Sequence, residues 1–257
     1  MFKAVLLDLD GTVYKGKSAI EGAKETIETL RANGVKIFYV TNASTNSREN
    51  RAGIIKKFGI GAEKEEIYSS AYASAKHVKD SYPGKSVFVV CEGGIQDEMR
   101  KMGIKVVEDT SADIVVVGLD RKLSYEKLSI AFRAILNGAV FIATNEDATY
   151  PVEDGFMPGA GALVAFISKA TGKKPLVMGK PNTYLIELIM KEREFKREEM
   201  LIVGDRLETD ILAGKRAGVK TALVLTGVAT KEEAEKLEKE KRPDYIMESV
   251  KDILTLP

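Results

Sequence analysis

The chain has 257 residues, 44% hydrophobic and 30% charged, with a formal net charge of +1. That is a globular composition long enough for two domains, with no basic surplus to favour nucleic acid or an anionic membrane as a partner. The single cysteine, Cys91, rules out an internal disulfide and a cysteine-cluster metal site, and the single histidine, His77, rules out di-zinc hydrolases and mechanisms that need two histidines.

No apolar run reaches membrane-spanning length, and Met1-Phe2-Lys3 leads into a short strand rather than a signal peptide, so a cytoplasmic location is expected. Abundant Lys and Glu, no Trp and a lone Gln96 resemble the usage of a thermophile.

In chain order, strands and helices alternate. Phe2 to Leu7 reads as a strand, Glu21 to Asn33 as a helix stopped by Gly34, Val35 to Val40 as a strand, and the stretch from Ser47 to Phe58 as a helix stopped by Gly59. A helix near Ser70 to Lys79 ends before Tyr82-Pro83-Gly84, the clearest linker signal. A second set follows: strand Ser86 to Cys91, helix Gln96 to Met102, strands Lys105 to Val107 and Ile114 to Val117, helix Tyr125 to Asn137, strand Val140 to Ala143 and helix Gly161 to Ala170.

After Thr171-Gly172-Lys173-Lys174-Pro175 the first rhythm resumes, with strands Leu176 to Met178, Met200 to Val203, Thr221 to Leu225 and Tyr245 to Met247. Helices Thr183 to Glu192, Asp210 to Ala217 and Lys231 to Glu238 lie between them. The expected fold is α/β: a doubly wound parallel sheet from residues 1–82 and 176–257, interrupted by an α/β domain over 83–175.

Polar residues follow the apolar strands of the outer set. Asp8 and Asp10 stand at the C-terminal end of the first, where open α/β sheets keep their chemistry. Two residues apart in a strand, they would share a face, with Gly11 turning the chain away. Adjacent carboxylates repel unless a cation lies between them. Thr41-Asn42, Gly179-Lys180 and Gly204-Asp205 follow three more strands. Singly, each suits a turn or helix cap; together they compose a carboxylate nucleophile, hydrogen-bond donors, a cation and a third carboxylate.

Asp8-Leu9-Asp10-Gly11-Thr12-Val13, Thr41-Asn42, Lys180 and Gly204-Asp205-Arg206-Leu207-Glu208-Thr209-Asp210 occur in the order of four family motifs, so the chain resembles the haloacid dehalogenase superfamily in its phosphatase branch. With the large insert before Lys180, Gly179-Lys180-Pro181, Thr144-Asn145-Glu146-Asp147 and Pro158-Gly159-Ala160-Gly161 look like the NagD and p-nitrophenyl phosphatase subgroup.

The resemblance implies a Rossmann-like core with an inserted cap, and Mg²⁺-dependent hydrolysis of small phosphate monoesters through an aspartyl-phosphate, of the p-nitrophenyl phosphatase, phosphoglycolate or sugar phosphatase type. It implies Asp8 as nucleophile and Asp10 as general acid and base. Thr41, Asn42 and Lys180 would hold the phosphoryl oxygens. Mg²⁺ would be held by the Asp8 and Asp205 carboxylates and the Asp10 carbonyl. Asp210 caps a helix, a role compatible with orienting Lys180.

The Gly159-Ala160-Gly161 loop would lie over the active site and help choose the substrate, and relatives of this kind are often homodimers joined through the cap. The alternative class is a non-catalytic phosphate-sensing or phosphoacceptor module, which also places Asp, Thr and Lys at parallel-strand ends. Such modules are short and uninterrupted, and here a long insert separates Asn42 from Lys180.

Overall fold

The structure is a computed structural model and describes residues 2–152 and 155–256. The chain begins with β1 (Ala4–Leu7), a small hairpin of β2 (Tyr14–Lys15) and β3 (Ser18–Ala19), α1 (Ala23–Ala32), β4 (Lys36–Thr41), α2 (Arg48–Lys57), β5 (Ile67–Ser69) and α3 (Ser70–Ser81). It continues through β6 (Val87–Val90), α4 (Gly94–Lys101), β7 (Ile114–Val117), α5 (Tyr125–Leu136), β8 (Val140–Ala143), β9 (Thr149–Val152), β10 (Gly155–Pro158) and α6 (Ala160–Thr171). The last stretch holds β11 (Leu176–Val177), α7 (Tyr184–Arg193), β12 (Met200–Gly204), α8 (Leu212–Ala217), β13 (Lys220–Val224), α9 (Lys231–Lys236) and β14 (Tyr245–Met247).

The chain divides into two compact units. The first takes the residues up to Thr41, Arg51–Tyr68 and the residues from Lys180 onward; the second takes Asn42–Asn50 and Ser69–Gly179. The first is built on a six-stranded sheet in the order β14-β13-β12-β1-β4-β5, with β1 parallel to both β4 and β12 and β13 parallel to β12 and β14.

Both faces of this sheet are covered, which is why its strands are continuous apolar runs rather than alternating ones. Val5 and Leu7 of β1 join a core with Ile27 and Leu30 of α1, Ile55 of α2 and Ile253. Their neighbours Ala4 and Leu6 point the other way and are also fully buried. On that second face α8 packs so closely that a side chain at Gly214 would meet Ile202 and Thr221.

The second unit has a four-stranded sheet in the order β11-β8-β7-β6, parallel throughout, and the antiparallel hairpin β9-β10. Phe88, Val115, Val117 and Phe141 pack there with Leu128 and Ala131 of α5 and Val164 and Ile167 of α6. Cys91, just past β6, is buried, and its thiol is pushed up to about 12 chiefly by that burial, which makes it an inert packing residue.

Several details depart from the sequence expectations. The units change over after Thr41, Asn50, Tyr68 and Gly179 rather than at 82/83 and 175/176. Leu176 and Val177 pair with β8, so that strand belongs to the second sheet, and α3 packs on α4. Lys105 to Val107 contributes only an isolated bridge, Val87 to Val106. The helix expected from Asp210 starts with a π-helical turn, Leu207–Ile211. The sequence does not predict the two hairpins and β5, because none of these short strands is a continuous aliphatic run like Ala4–Leu7 or Ile114–Val117; polar, aromatic, Gly or Pro residues interrupt them.

Candidate active site

β4, β1 and β12 lie side by side and run parallel, so their C-terminal ends share one edge of the sheet, and Thr41, Asp8 and Asp205 stand at those ends. The Asp8 amide still donates to the Val203 carbonyl (2.9 Å), which extends the β1 ladder by one residue and holds Asp8 in place. The chain then turns sharply. The amides of Val13 and Tyr14 donate to the Leu9 carbonyl (2.8 and 3.1 Å), and the Gly11 amide donates to the Tyr14 carbonyl (2.7 Å). Gly11 takes φ of 85°, and a Cβ there would stand 2.5 Å from Asp205 Oδ2, so both the turn and the close approach need glycine.

Lys180 is the hub of the site. Buried to 2% exposure, it donates from Nζ to Asp8 Oδ1 (2.5 Å), Asp210 Oδ1 (2.5 Å) and the Val40 carbonyl (3.0 Å), which uses all three ammonium donors. Burial opposes its charge, but the carboxylates of Asp210 and Asp8 outweigh that and hold Lys180 protonated well above its usual range. Asp210 Oδ2 accepts from the Arg206 amide (3.1 Å) and faces the Thr209 hydroxyl (3.5 Å). A side chain at Gly204 would run into Asp210.

Asp205 Oδ2 accepts from the Val228 amide (2.9 Å), whereas its buried Oδ1 has no hydrogen-bond partner among the described residues. Oxygens of Asp8, Asp205 and Asp210 all lie within 4.8 Å of one another. Burial pushes the Asp8 carboxyl up to about 8, with the Asp210 and Asp205 carboxylates adding to the effect of burial against the pull of Lys180. Asp205 is raised to about 6, again first by burial and then by Asp210.

Three hard oxygen donors, one of them orphaned and two resisting ionisation, are what a divalent cation such as Mg²⁺ would relieve. With all four groups ionised, three carboxylates against one ammonium leave two negative charges, matching its charge.

Each sequence-selected residue has a definite place. Asp8, Lys180 and Asp205 come together, and Thr41 is buried at the end of β4. Asp10 is exposed and does not share the carboxylate cluster, because the chain has already left the strand direction by that point. Partial desolvation raises its carboxyl above the usual value, opposed by the Gly16 backbone amide and by the charges of Arg206, Arg51 and Lys15. Lys180 does not follow a strand of the six-stranded sheet; it reaches Asp8 from the segment between β11 and α7.

Asn42 falls in the second unit, where its Nδ2 donates to Asp147 Oδ2 (3.0 Å). Its carbonyl accepts from Ser70 Oγ (2.6 Å) and Asn145 Nδ2 (2.8 Å). Gly159 precedes α6, as the loop reading expects, while 155–158 form β10. His77 lies on α3, its ring edge against Tyr82.

The sequence reads Asp210 as a helix cap compatible with orienting Lys180, and the two side chains meet at 2.5 Å. Asn145 is quoted only within a motif, and the sequence does not single out its side chain. Among the described residues no helix is long and apolar enough to cross a membrane.

The model of the haloacid dehalogenase-like hydrolases matches residues 5–105, and that of the HAD-hydrolase-like proteins matches residues 177–253. The acid sugar phosphatase of Staphylococcus saprophyticus is 38% identical over 253 residues, 98% of this chain and 97% of its own. Among solved structures, the p-nitrophenyl phosphatase from Archaeoglobus fulgidus is similar with a TM-score of 0.93 at 34% identity, covering 99% of this chain and 98% of that one. The glycerol phosphate phosphatase of Mycobacterium tuberculosis, solved in complex with magnesium, has a TM-score of 0.92 at 33% identity, covering 98% and 76%. Matched across nearly its whole length in sequence and in fold, the chain belongs to the haloacid dehalogenase-like hydrolases, beside their p-nitrophenyl phosphatase members.

Proposed function

We propose that this protein is a Mg²⁺-dependent phosphomonoesterase of small molecules that works through an aspartyl-phosphate on Asp8. The observation that carries this reading is the buried set of Lys180, Asp8, Asp205 and Asp210 at one edge of a parallel sheet. Asp8 attacks phosphorus and the ester P–O bond breaks; Asp10 gives its proton to the departing oxygen. Water then attacks the aspartyl-phosphate and Asp10 takes the water's proton. The P–O bond to Asp8 breaks, releasing phosphate.

Lys180 places its positive charge where negative charge spreads in the transition state, and Thr41 and Asn42 are the donors to the phosphoryl oxygens. The Asp8 and Asp205 carboxylates and the Asp10 carbonyl would hold Mg²⁺, which would supply positive charge to offset repulsion between nucleophile and substrate.

The first unit carries Asp8, Asp10, Lys180 and Asp205 and acts as the catalytic unit. The relatives named for acid sugar, glycerol phosphate and p-nitrophenyl phosphate activities support a small ester as substrate. Pairing of two copies through the second unit is consistent with the exposed Phe156 and Met157 on β10.

The test is phosphate release from a panel of small esters, with Mg²⁺ and with chelator, by wild type and Asp8→Asn. Activity should require the metal and fall about a thousandfold or more in the variant. A folded Asp8→Asn protein with near wild-type turnover would refute the mechanism.

A further inference from the structure

Arg51, on α2, is a charged side chain that the reaction above does not use. It is buried, with 8% exposure. Among the described residues it forms no ion pair, its hydrogen bonding is a single contact from Nη1 to the Tyr14 hydroxyl (3.3 Å), and its Nε is buried with no partner. A guanidinium removed from water on such thin compensation is unfavourable unless its charge serves a neighbour.

Tyr14 leads to that neighbour. Its ring is buried and stacks on Phe58, with centroids 4.8 Å apart. Its backbone closes the turn that presents Asp10: the Tyr14 amide donates to Leu9, its carbonyl accepts from Gly11, and a bridge pairs it with Asp10 itself. Movement of Tyr14 would therefore move the Asp10 backbone.

We propose that Arg51 is a positioning residue for proton transfer, fixing through Tyr14 the turn that aims Asp10 at the leaving-group oxygen. The inference rests on the phosphatase reading of the site. It concerns one step only: transfer of the Asp10 proton to the ester oxygen as the P–O bond breaks.

An alkoxide leaves poorly unless it is protonated, whereas p-nitrophenolate leaves readily without help. The comparison is therefore kcat/KM for glycerol phosphate against p-nitrophenyl phosphate, since kcat/KM reports events up to formation of the aspartyl-phosphate. In Arg51→Met the ratio of the two values should shift at least tenfold against glycerol phosphate, and Asp10→Asn should shift it in the same direction. Arg51→Lys should recover part of the shift. Adding Arg51→Met to Asp10→Asn should shift the ratio little further, because the proton donor is already gone.

Where Arg51→Met does not fold, Tyr14→Phe, which removes only the accepting hydroxyl, carries the same comparison with an expected shift of a few fold. Equal losses on both esters, or none on either, in folded variants would overturn the proposal and leave Arg51 a packing residue. Wild type that hydrolyses neither ester with Mg²⁺ would overturn the phosphatase reading, and this inference with it.

Discussion

Lys180 owes its geometry to two carboxylates with different fates. In the proposed reaction Asp8 is the group that attacks, while Asp210 holds Lys180 from a position that is 1% exposed. Asp210→Asn preserves shape and removes the charge, so it should lower turnover by about 10- to 100-fold, in the range typical of groups that orient a site residue. The fold should survive, as far-UV circular dichroism would verify; unchanged turnover would mean that Asp8 and Val40 suffice to place the ammonium. At this scale the sequence was informative about residue types: Asp8, Asp205 and Lys180 were each readable from a polar group following an apolar run. Arg51 and Asn145 were not, since no local pattern distinguishes a buried arginine on an amphipathic helix from a solvated one.

Among the elements, one side chain in the connection that precedes β14 ties α8 to β13 in addition to their packing. Asp244 accepts from Lys215 Nζ of α8 (2.9 Å) and from Lys220 Nζ of β13 (2.9 Å). It also accepts from the Thr221 amide (3.0 Å) and hydroxyl (2.7 Å). Burial acts to raise its pKa, but these donors prevail and hold the carboxyl well below the usual carboxylate range. A carboxylate depressed in the folded state stabilises the protein above the unfolded value of about 3.9, and that stabilisation fades as pH falls through the folded value. Asp244→Asn should therefore cost about 1–2 kcal/mol at pH 7, allowing for solvent screening of the lysines. The gap to wild type should narrow by about pH 3, measured by urea unfolding at both values; a gap that stays constant would assign the loss to packing.

At the scale of the whole protein, the raised Asp8 and Asp205 carboxyls predict that metal binding is coupled to protons. With Asp8 raised to about 8 and Asp205 to about 6, Mg²⁺ binding must release protons wherever these groups hold them. Since the cation selects the ionised form, its affinity should rise by about tenfold per pH unit between roughly pH 6 and 8, and more steeply below. Calorimetric titration in two buffers of different ionisation enthalpy would count the protons directly. Mg²⁺ should also raise the unfolding temperature, with a larger shift at pH 8 than at pH 6. Affinity that does not vary with pH would mean the carboxylates are already ionised without the metal.

The sequence alone determined the alternation of strands and helices, the parallel α/β class and the residue types of the site, because apolar runs, glycine stops and strand-end polar groups are local signals. It misplaced the seams between the units, since Pro-Gly turns mark where a chain bends and not which sheet the next strand joins. Leu176–Val177 could be assigned only by its pairing with β8. Tertiary structure decided that Lys180 meets Asp8 across 172 residues of chain, that Asp210 rather than Asp10 completes the carboxylate cluster, and that Arg51 is tethered to the turn that bears Asp10. Parallel strands bring Asp8 and Asp205 to one edge, while Lys180 and Arg51 arrive from the β11–α7 segment and from α2, an arrangement that packing over long separations creates and that no window of sequence contains.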